Sequence, residues 1–151
     1  IKGSMQLKDI LLAEDYRDTA VARITGVVEQ QIARRKGLSG AGLRTALKMA
    51  KSNRPDMLPT VINRLLPHFC EALEPYFQQF QASDETDFQH FVMQRESELT
   101  EAMLSVTDGR AEQTQNKTFK RMYKQLRGTA GDELSAALPD IAALVQARLP
   151  A

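Results

Sequence analysis

The sequence predicts an all-α fold, a compact bundle of six or seven helices, and three observations carry that prediction. Apolar residues recur at three- and four-residue steps along most of the chain. No stretch alternates with the two-residue period of a strand, and no Asn-Gly or similar hairpin signal joins β-branched runs.

Taken in order, Ala20, Val21, Ile24, Val27, Val28 and Ile32 mark a first stripe, and Leu43, Ala46, Leu47 and Ala50 a second. The longest runs Leu58, Ile62, Leu65, Leu66, Phe69, Leu73, Tyr76, Phe77 and Phe80. It passes Pro67 and Pro75 without losing phase, which predicts one helix kinked near Pro67 rather than two helices, although an interior proline costs about 3 kcal/mol. Phe88, Val92, Leu99, Met103 and Val106 predict a further helix, and Phe119, Met122, Tyr123 and Leu126 a shorter one. Leu134, Leu138, Ile141, Val145 and Leu149 predict a last helix, kinked at Pro139.

Boundary residues support this division. Ser39 reads as an N-cap, Thr86 with Gln89 as a capping box, Asn116 as an N-cap, and Thr129 with Asp132 as a weaker box. Gly128 stands where a C′ glycine ends a helix, and the polar stretch 105–116 reads as a helix end followed by a loop.

"IKGS" at 1–4 reads as a cloning remnant, leaving 5–151 as a single helical domain. A chain of this length buries roughly 70% of the surface it exposes when unfolded, enough for a core without metals or disulfides. Hydrophobic residues at 42% and charged residues at 26% argue against wholesale disorder. The lone cysteine, Cys70, cannot form an internal disulfide, and no apolar run reaches the roughly 20 residues of a membrane span. A cytoplasmic location is expected.

Net charge is +1, yet the charges are sorted along the chain. Residues 30–55 and 113–131 hold no Asp or Glu, whereas 65–94 holds no Lys or Arg. Pairing of acidic and basic helices within the bundle explains this more simply than a nucleic-acid footprint.

The stretch "RKGLSGAGLRTALKMAKS" puts three glycines at the mouth of a basic helix. A phosphate loop would need a preceding strand and a Gly-Lys-Ser/Thr ending, but Gly42 is followed by Leu43 and Arg44. Residues 32–48 fit a bacterial helix-turn-helix better, with Ala33 four residues before Gly37 and Leu43 six after it. On that reading Arg34, Arg35, Arg44, Thr45, Lys48 and Lys51 would contact nucleic acid. Gly40, Ala41 and Gly42, however, bring no side chain able to read a base edge. A helix joint is the simpler account: Ser39 caps the second helix, Gly37 ends the first, and Gly40 or Gly42 makes room for a neighbouring backbone.

Catalytic and metal constellations are sparse. His68 and Cys70, two apart, point to different sides of a helix, and the other histidine, His90, is remote in sequence. Glu98 and Glu101 share a face and Glu96 lies on another, but no Glu-x-x-His pair accompanies them, so solvated helix faces explain them. Phe119 and Tyr123, interleaved with Lys120, Arg121 and Lys124, have the spacing of a packed face more than of base-stacking. No catalytic residue, cofactor or metal is expected.

The phrases "RKGLSGAGLR", "INRLLPHFCEALEPYF", "AMLSVTDGRA" and "YKQLRGTAGDELSAALPDIAAL" together resemble a family of small, single-domain, all-helical bacterial proteins classed as a domain of unknown function. The resemblance spans nearly the whole chain and implies a compact helical domain, with no activity or site residue to carry over. The leading reading is a non-enzymatic domain acting through contact with a protein partner or a second copy of itself. DNA binding through 32–48 ranks second, and an enzyme or small-ligand carrier with a cavity inside the bundle third.

Overall fold

A computed structural model describes residues 5–34 and 37–149, with the side chains at 37–40, 43, 46, 50, 53, 119, 122 and 126 excepted. Among the described residues there are seven α-helices and no strand: α1 (Leu7–Leu11), α2 (Arg17–Arg34), α3 (Gly37–Asn53), α4 (Met57–Ala82), α5 (Phe88–Gln94), α6 (Glu96–Gln113) and α7 (Lys117–Arg148). The all-α expectation holds, while several boundaries differ from it.

The stripe of α4 behaves as its sequence requires. Leu66, Cys70, Phe77 and Phe80 are buried, with Ile62, Phe69, Leu73 and Tyr76 packed against them. The helix continues through Pro67 and Pro75. A proline has no N–H to give the carbonyl four residues back, so Pro67 orphans the carbonyl of Asn63. Arg17 of α2 fills that vacancy: its Nη2 donates to Asn63 O at 3.1 Å and its Nε to Asn63 Oδ1 at 2.8 Å. One side chain thereby repairs the helix and ties α2 to it.

Four rings join α4 to α5. Phe88 lies edge-on to Phe77 at 5.5 Å and to Phe80 at 5.0 Å, and Phe80 to Phe91 at 5.5 Å. Leu99 and Met103 of α6 and Leu138, Ala142 and Val145 of α7 belong to the same core. The short α1, which the stripes do not announce, docks on α4. Glu74 accepts the Leu7 N–H at 3.0 Å, and Gln78 and Gln81 donate to Met5 O at 3.0 and 2.7 Å. The carboxylate thus satisfies an orphan donor of the first turn and sits at the positive end of the helix dipole.

The helix expected across 88–106 divides at Arg95, whose φ of −122° and ψ of 27° separate α5 from α6. Its guanidinium lies 3.8 Å above the Phe91 ring, so packing rather than a proline or glycine sets the break. The cap of α5 is Asp87, accepting from His90 N, one residue beyond the expected Thr86–Gln89 box.

The larger correction concerns the C-terminal region. The two helices expected on either side of Gly128 are one, α7, which also passes Pro139 without a break. Gly128 is not a C′ residue and Thr129 and Asp132 form no new start: glycine permits a helix stop without imposing one, and the apolar face continues into Leu134 and Leu138. A Cβ at Gly128 would meet nothing, whereas at Gly131 it would lie 3.3 Å from Leu104 Cδ1, where α6 approaches closely. Most of 105–116 is helical too, since α6 extends to Gln113. Asn116 does precede α7, its carbonyl accepting from Lys120 N at 3.1 Å.

The glycine stretch is also corrected. Helix α3 starts at Gly37, so Gly37 opens the second helix instead of ending the first, and Ser39 lies past the N-cap. Gly42 faces open space and admits no close neighbour. Gly40 lies outside the residues whose side-chain surroundings are described.

Two predictions test this architecture. Arg17→Ala is expected to cost about 1 kcal/mol in urea unfolding, and distinctly less in a Pro67→Ala background, where an N–H again serves Asn63 O; equal costs in both backgrounds would separate Arg17 from the proline. Gly128→Ala is expected to stabilise by roughly 0.5–1 kcal/mol as an exposed interior helix position, with a smaller gain at Gly131. A loss at Gly128 would indicate a left-handed helix end there.

Candidate functional site

Helices α6 and α7 run antiparallel. Ser135 bonds to Glu96 near one end, Gly131 faces Leu104 in the middle, and Tyr123 meets Thr107 towards the other. The large core side chains of these two helices, Leu99 and Met103 with Leu138 and Val145, lie towards the first end. At the opposite end the first turns of α4, the last turns of α6 and the first turns of α7 border an open cleft of about 730 Å³.

Arg54, Arg64 and Arg110 line it, all exposed, and no carboxylate pairs with them among the described residues. Val61 and Leu65, one turn apart on α4, supply an apolar wall, and Tyr123 closes the α7 side. The acid-free segments 30–55 and 113–131 both border this cleft, through Arg54 on one and Tyr123 on the other.

The Tyr123 hydroxyl is fixed by a short chain of bonds. It donates to Asp108 Oδ1 at 2.6 Å and lies 2.6 Å from the Thr107 hydroxyl, which itself donates to Leu104 O at 3.0 Å. Arg127 grips the same carboxylate in a fork, Nε to Oδ1 and Nη2 to Oδ2, both at 2.9 Å. Its guanidinium, with the tyrosine bond second, holds Asp108 below the usual carboxylate range. Burial first, and then the bond to Asp108, push Tyr123 above the ordinary tyrosine value of 10. Asp108, bonded to Tyr123 of the cleft wall, is thus engaged by Arg127, and the tyrosine stays neutral.

The residues of the helix-turn-helix reading lie elsewhere. Arg34, Arg44, Thr45, Lys48 and Lys51 are exposed on α2 and α3, and Arg35 falls outside the described residues. Arg44, Lys48 and Lys51 border a groove that also contains Glu29, and Lys51 Nζ is 3.0 Å from Glu29 Oε1. A carboxylate within the intended phosphate track opposes DNA there.

His68 is exposed while Cys70 is buried on the other side of α4, its thiol pushed up to about 12 by burial, then by Glu74, with Arg17 opposing. His90 pairs with Glu85 at 2.8 Å. No group of three or more His, Cys, Asp or Glu side chains among the described residues is arranged to hold a metal. Inside the core the apolar void beside Leu73 and Ala142 is about 30 Å³. No helix among the described residues is long and apolar enough to cross a membrane.

A helical domain with a basic cleft at one end is the class that the geometry defines. The chain belongs to the DUF6918 family, a family of unknown function, whose model matches residues 7–149. No curated protein and no solved structure matches it.

Because its folded value is raised, Tyr123 contributes stability that is complete below pH 10 and lost as pH rises through the folded value. A tyrosinate absorbance titration is expected to show a late-ionising component from Tyr123. In Asp108→Asn that component should move down without reaching the ordinary range, since burial is the larger cause. An unchanged titration would detach Tyr123 from Asp108.

Proposed function

We propose that the protein is a non-enzymatic binding domain, and that the basic cleft is where it makes contact with an anionic partner. The observation that supports this is the trio Arg54, Arg64 and Arg110 on the open cleft of about 730 Å³, with no pairing carboxylate among the described residues. Guanidinium groups present planar donor forks suited to phosphate and carboxylate, and unpaired arginines beside one another repel until an anion neutralises them. The proposal moves the contact surface away from 32–48, where Glu29 already answers Lys51. Sequence-reading DNA contact by α3 ranks below it for that reason. A bacterial cytoplasm is the proposed setting, on the resemblance of the sequence and on a single cysteine, Cys70, which can form no internal disulfide.

Calorimetry at low salt with inorganic pyrophosphate tests the proposal. Wild-type protein is expected to bind it. Arg54→Gln, Arg64→Gln and Arg110→Gln should each weaken binding about fivefold, since an exposed charge contact is worth about 1 kcal/mol. Arg44→Gln and Lys48→Gln should leave it unchanged. Absence of binding, or dependence on Arg44 and Lys48 alone, would refute the cleft.

A further inference from the structure

Resting on that reading, we infer that the cleft selects a small phosphate monoester bearing an apolar or aromatic group, rather than a bare anion or an extended polyanion. Charge is the first argument. Three arginines outnumber what a single carboxylate balances, whereas a monoester carries nearly two negative charges at neutral pH and three acceptor oxygens. Asp108, the acid nearest in bonding to the wall, is held by Arg127 on both oxygens and so leaves that excess in place.

Apolar surface is the second argument. Val61 is 40% exposed, one of three large hydrophobic residues so exposed among those described, and it stands on the cleft wall one turn from the half-buried Leu65. Bare phosphate would leave that wall wet; an aryl or alkyl substituent would cover it. Size is the third argument, because about 730 Å³ falls in the range of sites for single small molecules.

Calorimetry of the full chain with inorganic phosphate, phenyl phosphate and a twelve-residue oligothymidylate separates the possibilities. Phenyl phosphate is expected to bind about tenfold tighter than inorganic phosphate. Val61→Ser should remove most of that advantage while leaving inorganic phosphate binding intact, and Arg64→Gln should weaken both. Should inorganic phosphate bind as well as phenyl phosphate, or the oligonucleotide bind tightest with a steep salt dependence, the inference is wrong although the cleft still takes anions. Should none of the three bind, the cleft reading falls with it. Val61 is exposed, so circular dichroism and melting of Val61→Ser are expected to match wild type, which keeps any loss of binding attributable to the wall.

Discussion

The edge-to-face interlock of Phe77, Phe80, Phe88 and Phe91 is the contact on which the other packing of this bundle depends. Rings from α4 and α5 meet at 5.0–5.5 Å, close enough for their positive edges to face neighbouring ring faces. Because α5 is only two turns long, it has little helical stability of its own and is held by this burial. Its position in turn fixes the break at Arg95, the start of α6, and the place where α7 lays down Leu138, Ala142 and Val145. The large side chains are thereby concentrated at one end, and the other end is left open between α4, α6 and α7.

That division of labour separates stability from recognition. The core end is apolar and encloses almost no space, while the open end carries three arginines and a tyrosine. Asp108 is the hinge of the local electrostatics. Paired with Arg127 it fixes the Tyr123 hydroxyl and leaves the excess positive charge of the cleft in place. An unpaired carboxylate in the same spot would compete with any incoming anion for the arginines.

Much of the fold was legible because helical periodicity survives insults to the backbone. The stripe through Leu66, Phe77 and Phe80 kept its phase past two prolines, and α4 is indeed continuous. What repairs the helix at Pro67, the Arg17 side chain, comes from 46 positions before the Asn63 it bonds and leaves no local pattern. The same limit explains the misplaced stops. Gly128 and Gly131 look alike in sequence, yet one faces solvent inside a helix and the other meets Leu104 of a neighbouring helix. Ser39 looked like a cap because it is a serine beside glycines, but the helix had already begun at Gly37. The cleft was the least legible feature: Arg54 and Arg110 sit at the edges of different segments, and Arg64 was hidden within an apolar stripe. The charge sorting did not reveal it, because of the three arginines only Arg54 falls within an acid-free segment, 30–55.

The central claim is that the anion site lies at the open end of the bundle, on Arg54, Arg64 and Arg110. Side-chain NMR of nitrogen-labelled arginine, titrated with pyrophosphate, tests it without altering the protein. The account predicts that the Nε–Hε signals of these three arginines shift together and saturate at a common ligand concentration, while that of Arg44 stays in place. Shifts centred on Arg44, or small unsaturating shifts spread over all the arginines, would contradict it.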